Sequence, residues 1–321
     1  MTEILNNRFR TDRWKEDSIQ SVDFYNHWFL TSAPKAYRIA RSGVIDNVLL
    51  AIKSFEYLRS ISVDALISNP KYLSVLRAST APPLAIDRLA GLAGTTRNII
   101  SSLENGTLPG RRSEEEVRDN LTRIISIIKR LLDYDIFPWL NTDSHPSTQA
   151  INRSASIVAD RISGALANPI IRNSQEARQL KAIDDYLQHK GYRKLASSEI
   201  FSVETMPPLS YAFHYNIPVE LKGRSVNMPI DVVIQTPCSF SNNFPLLVEC
   251  KSAGDFTNTN KRRKEEATKV TQLRHTYGKD KISFILFLCG YFDISYLGYE
   301  AAENIDWIWE HRISDFSAFG I

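Results

Sequence analysis

The feature that most constrains this chain is a change of hydrophobic period near residue 200. Before it, apolar residues recur at helical spacing; after it come four short apolar or alternating runs, at 210–219, 228–235, 245–251 and 282–292, bounded by Gly, Pro, Asn and Lys. Such runs read as strands. Residues 260–277, between the last two, are charged and helical in character, and a helix is expected at about 174–190. The C-terminal half is therefore expected to run α-β-β-β-α-β. With a mostly helical N-terminal half, the fold class is α+β.

In the first half, Val22, Phe24, Tyr25, Trp28 and Phe29, then Val44, Val48, Leu49, Ile52, Phe55 and Leu58, keep helical spacing on either side of Pro34, so two helices are expected. Residues 114–133 form a strong amphipathic pattern through Val117, Leu121, Ile124, Ile125, Ile128 and Leu131, with Glu114, Glu115 and Glu116 suited to its N-terminus. The polar stretch 141–148 reads as a connecting loop, and a further helix is expected at about 150–167. Two regions follow: 1–145, mostly helical, and 146–321, carrying the sheet.

Composition narrows the function. Thirty-nine Lys and Arg against 36 Asp and Glu leave a net charge of +3, too small to indicate a partner by itself. The three cysteines, Cys238, Cys250 and Cys289, are far apart and without Cys-x-x-Cys spacing, which disfavours a disulfide framework or zinc cluster and suits a reducing cytoplasm. The first twenty residues lack an apolar signal segment, and the longest apolar run, about 282–292, is too short to span a bilayer. The six histidines form no His-x-x-x-His pair, and no glycine-rich phosphate loop occurs. Zinc hydrolysis, a nucleotide cofactor and a membrane site are not expected.

The chemistry concentrates on two of the expected strands, Met228-Pro229-Ile230-Asp231 and Leu247-Val248-Glu249-Cys250-Lys251. Alternate strand residues share a face, so Glu249 and Lys251 point one way and Cys250 the other. If the strands are neighbours, Asp231 joins Glu249. Two carboxylates offer hard oxygen ligands for Mg²⁺, which lowers the pKa of a water it binds and offsets charge growing on a phosphate. The other Glu-x-Lys, Glu220-Leu221-Lys222, runs into a Gly223 turn and has no strand-borne acid upstream. The competing reading of Asp231, Glu249 and Lys251 is an ion pair at a strand end.

Two further segments suit DNA. Between residues 260 and 281, eight bases face three acids, and Asn260, Lys261, Arg262, Arg263, Lys264 and Lys269 are candidate backbone contacts, or else a solvated helix face. In the first half, Leu89, Ala90 and Ala93, a Gly94 turn, then a helix begun by Thr95 with Ile99, Ile100 and Leu103 inward, have the layout of a helix-turn-helix, or of an ordinary helical hairpin. In the former, Thr95, Thr96, Arg97, Asn98 and Ser101 would face the major groove.

The order α-β-β-β-α-β with Pro229-Ile230-Asp231 and Glu249-Cys250-Lys251 resembles the PD-(D/E)xK nuclease superfamily. That resemblance implies that Asp231, Glu249 and the backbone carbonyl of Cys250 hold Mg²⁺, and that Lys251 positions or activates the attacking water. It also makes Glu176, in Asn173-Ser174-Gln175-Glu176, a candidate fourth site residue, although the same four residues fit a helix-capping box. The whole chain is moreover similar to the XamI family of type II restriction endonucleases. The stretches that carry this are Pro82-Pro83-Leu84, Asp87-Arg88-Leu89-Ala90-Gly91-Leu92-Ala93-Gly94, Ile136-Phe137-Pro138-Trp139-Leu140, Ile157-Val158-Ala159-Asp160-Arg161, Asn168-Pro169-Ile170-Ile171-Arg172-Asn173, Val248-Glu249-Cys250-Lys251-Ser252 and Trp309-Glu310-His311-Arg312. The resemblance implies Mg²⁺-dependent cutting of double-stranded DNA in a short palindrome, with GTCGAC as the family's type specificity. Palindromic cutting implies a homodimer, and host protection implies a cognate DNA methyltransferase in the same prokaryotic cytoplasm. The alternatives are a helix-turn-helix regulator with an inactive nuclease-like domain, and a structure-specific repair nuclease.

Overall fold

The structure is a computed structural model and describes residues 6–321, apart from 111, 201, 222, 238–243 and 258 and the side chains of 197 and 259–263. Ten helices run through the described residues: α1 (Trp14–Ser54), α2 (Val63–Ser68), α3 (Leu73–Ala78), α4 (Ile86–Ala93), α5 (Arg97–Glu104), α6 (Glu114–Leu131), α7 (Thr148–Ala165), α8 (Ala167–His189), α9 (Thr259–Tyr277) and α10 (Ile294–Ala302). The strands are β1 (Arg193–Lys194), β2 (Ser210–Leu221), β3 (Arg224–Gln235), β4 (Leu246–Ala253), β5 (Ser283–Gly290) and β6 (Asp306–Trp309). The expected core order holds, as α8-β2-β3-β4-α9-β5.

The contacts divide the chain into two units: described residues up to Pro34 together with Arg172–Ile321, and Lys35–Ile171. This differs from a break at 145/146 at both ends, and the core composition gives the reason. Helix α7 puts Ile151, Ala155, Val158 and Ala159 into the helical core beside Leu121, Ile124 and Ile128 of α6, and Arg161 pairs with Asp133 at 2.9 Å. At the other end, Trp14 belongs to the sheet's own core, edge-on to Trp307 with ring centroids 5.4 Å apart. Nor does Pro34 split the first helix: α1 runs through it unbroken.

The sheet has the order β1-β2-β3-β4-β5-β6. β2, β3 and β4 pair antiparallel, while β4, β5 and β6 are parallel. One face packs on Ile183 and Leu187 of α8 and on Phe316, the other on Val270 and Leu273 of α9 and Tyr296 and Leu297 of α10. The β2–β3 hairpin changes faces midway. Tyr211, Val232 and Ile234 lie on the α8 side, but Ile217, Val219, Met228 and Ile230 lie on the α9 side. The residue at the crossover is His214, whose φ of +50° is unusual for a side chain other than glycine. The continued hairpin register sets it opposite Asp231.

Candidate active site

Register brings the two acidic motifs together. Val232 pairs with Val248, so one further step of the antiparallel ladder sets Asp231 beside Glu249. The Cys250 backbone N–H donates to Asp231 Oδ2 at 2.8 Å, fixing that carboxylate against β4. Glu249 and Lys251 share the α9 face, as strand alternation requires, while Cys250 packs with the α8-side cluster. Lys251 Nζ donates to Glu249 Oε2 at 3.1 Å. Glu249 is 2% exposed, so its charge is held by neighbours and not by water.

Two of those neighbours come from α9. Lys269 Nζ donates to Glu249 Oε1 at 2.7 Å and to the Pro229 carbonyl at 3.1 Å. Glu266 is 1% exposed. Its Oε2 accepts from the Tyr296 hydroxyl at 2.7 Å, and its Oε1 lies 3.8 Å from Lys251 Nζ. Lys269, one of the expected DNA contacts, reaches inward to Glu249. The cause is that Val270 and Leu273, the buried apolar residues of α9, dock the helix on the sheet and carry Lys269 and Glu266 with them. The sequence signal for these inward positions is weak: a short apolar stripe of Val270, Leu273 and Tyr277 on a helix otherwise dominated by charge.

A cavity of about 280 Å³ opens on this cluster, lined by Arg172, Gln175, Glu176 and Gln179 of α8, Asp231, Glu249 to Ser252, and Glu265. Glu176 is thus on the same cavity as the three motif residues. The capping box expected there is absent, because α8 begins at Ala167, seven residues before the start that a cap at Asn173 would set, leaving Asn173 to Glu176 in the helix interior. Its Oε1 lies 3.9 Å from His214 Nε2. Gln179 Nε2 donates to the Phe287 carbonyl at 3.1 Å and anchors α8 on the sheet.

The electrostatics are those of a crowded anionic site. Burial, and then the charge of Glu249, push the Asp231 carboxyl above its ordinary value. Burial works against the Lys251 ammonium, yet the Glu249 and Glu266 carboxylates outweigh it and hold the group above the usual lysine range. The Asp231 and Glu249 carboxylates, both offering hard oxygens to one cavity, form a donor set that suits Mg²⁺. Among the described residues no group of three or more His, Cys, Asp and Glu side chains could hold a metal ion. The remaining positions would fall to backbone, water and substrate oxygens.

The other candidate contacts are dispersed. Helices α4 and α5 meet at Gly94, in the left-handed region at φ +58°, with Ile99, Ile100 and Leu103 buried. Helix α5 starts at Arg97, because Thr96 is extended and caps it by accepting from the Ile99 N–H. Thr95 Oγ1 donates to Asn120 at 2.6 Å. Arg97 pairs with Asp87 at 2.8 Å, both exposed. Thr96 and Asn98 are exposed and Ser101 is half-buried. Lys264 is exposed on α9, whereas the side chains of Asn260, Lys261, Arg262 and Arg263 lie outside the described residues.

The family model for XamI restriction endonuclease matches residues 56–309. The type II restriction enzyme SalI of Streptomyces albus G is 46% identical over 314 residues, 98% of this chain and 99% of that protein. The type II restriction enzyme XamI of Xanthomonas campestris pv. amaranthicola is 25% identical over 194 residues, 60% of this chain and 62% of that protein. A crystal structure of protein VC1899 from Vibrio cholerae aligns with 79% of this chain at 16% identity and a TM-score of 0.27; the chain spans 57% of that protein's length. From the family match and the near full-length identity to SalI together, the chain belongs to the XamI restriction endonuclease family.

Proposed function

We propose that this restriction endonuclease hydrolyses phosphodiester bonds of double-stranded DNA within a short palindrome, with GTCGAC as the candidate sequence, using Mg²⁺ at the cavity under β3 and β4. The observation that carries the proposal is the convergence of Asp231, Glu249 and Lys251 on one cavity from adjacent strands. Asp231, Glu249 and the Cys250 carbonyl would hold the cation, with Glu176 as a further acid on the same wall. When bound, Mg²⁺ supplies concentrated positive charge that activates water and offsets charge growing on the scissile phosphate.

The chain's own residues do the rest. The Cys250 N–H orients Asp231. Glu266 and Glu249 keep Lys251 protonated, so its ammonium can orient a water and attract a phosphate oxygen. Thr95, Thr96, Arg97, Asn98 and Ser101 read bases, and Lys261 to Lys264 follow the phosphate backbone. Two such chains act as a homodimer on the palindrome, beside a methyltransferase that protects host DNA.

Digestion of a sequenced plasmid carrying GTCGAC, with Mg²⁺ and with EDTA, followed by run-off sequencing of the ends, tests this. Discrete Mg²⁺-dependent fragments are expected. Specific binding without cutting would favour a regulator, and cutting confined to branched DNA a repair nuclease.

A further inference from the structure

Glu249 already carries an ammonium on each oxygen: Lys251 on Oε2 at 3.1 Å and Lys269 on Oε1 at 2.7 Å. A divalent cation approaching this nearly buried carboxylate therefore meets positive charge on both sides. The two lysines are not equally held. Lys251 rises from β4 next to Glu249 and is flanked by a second buried carboxylate, Glu266. Lys269 comes from α9, is 28% exposed, and already shares its protons with the Pro229 carbonyl. It can leave Glu249 without losing every partner.

We infer that Lys269 is the resident counter-ion of the metal-free site, held on Glu249 until a divalent cation displaces it. The inference rests on the proposed metal site. Without Lys269, the Asp231 and Glu249 carboxylates would share one cavity with Lys251 as the ammonium hydrogen-bonded to Glu249. Lys269 offsets the repulsion between the two carboxylates and so competes with the cation for Glu249. Removing the competitor strengthens cation binding, although the residue is a cation-rich helix's contribution to a nuclease site and would ordinarily be assigned to DNA. Displacement also frees the Lys269 ammonium from Glu249, leaving it on the Pro229 carbonyl.

The test is titration of Ca²⁺, followed by calorimetry, into metal-free wild type, Lys269→Met, Lys269→Arg, Asp231→Asn, and Lys279→Met, the last removing an equal charge from an exposed residue beyond α9. Binding should be about threefold or more tighter in Lys269→Met, the scale of a partly exposed ion pair. Lys269→Arg and Lys279→Met should bind as wild type does, and Asp231→Asn should lose binding. The Ca²⁺-induced rise in thermal midpoint should likewise be larger in Lys269→Met, which also checks that the variant folds. Equal or weaker Ca²⁺ binding by Lys269→Met, while wild type binds and Asp231→Asn does not, overturns the counter-ion role alone. Absence of binding in wild type and Lys269→Met alike overturns it together with the metal site, and equal tightening by Lys279→Met reduces it to a general field effect.

Discussion

Glu266 lies buried beside Lys251, and replacing it by Gln tests whether the buried network holds the lysine. Gln can still accept the Tyr296 hydroxyl, so the change removes charge and little else. At 3.8 Å and an effective dielectric of about 20, the Glu266–Lys251 attraction is about 4 kcal/mol before desolvation. Burying the Glu266 charge cancels a large part of that. A net coupling of about 1–2 kcal/mol remains for a pair in contact. Urea unfolding of wild type, Glu266→Gln, Lys251→Met and the double variant, without metal and with equal slopes, measures it as a double-mutant cycle. A coupling within about 0.5 kcal/mol of zero, the range of independent sites, would refute the view that Glu266 fixes Lys251.

Other outcomes follow from single features. A Cβ on Gly290, at φ +99°, would lie 2.1 Å from the Ala253 carbonyl oxygen at the joined ends of β4 and β5, so Gly290→Ala should cost about 3 kcal/mol or more by thermal or urea unfolding; a loss under about 1 kcal/mol would contradict the close approach. Burial raises the Asp184 carboxyl, but Tyr211 and Lys194 outweigh it and hold it below its ordinary 3.8. Its stabilisation is therefore complete above that value and is lost as pH falls through the lower folded one, and Asp184→Asn should flatten the acid limb of the urea midpoint against pH. Burial and Asp184 push the Tyr211 hydroxyl up to about 12, so its contribution is full below the ordinary 10.0 and disappears as pH rises towards 12. Asn98→Ala should relax sequence preference by about 1–3 kcal/mol in competition binding if α5 reads bases, while leaving the salt dependence unchanged.

The sheet, its flanking helices and the pairing of Asp231 with Glu249 were legible because period and motif spacing are local signals, and strand neighbours in sequence usually pair. What was not legible depends on docking. Lys269 and Glu266 resemble every other charge on α9 until Val270 and Leu273 set that helix on the sheet. Pro34 and the capping signature at Asn173 are genuine local signals overridden by longer helices. The division at Pro34 and Arg172 reflects which core buries Trp14 and which buries Val158, and period alone does not distinguish two cores. His214 gave no signal at all, since its turn of backbone is a property of the hairpin.

The central claim is that Asp231, Glu249 and Lys251 form a cleaving site separable from DNA recognition. Asp231→Asn, close in shape to the native residue, tests it most directly when cleavage and specific binding of one duplex are measured on the same preparation. Mg²⁺-dependent cleavage should fall by about a thousandfold or more, equivalent to roughly 4 kcal/mol of barrier, with specific affinity in Ca²⁺-free buffer within about threefold of wild type. Cleavage at the wild-type rate would contradict the account.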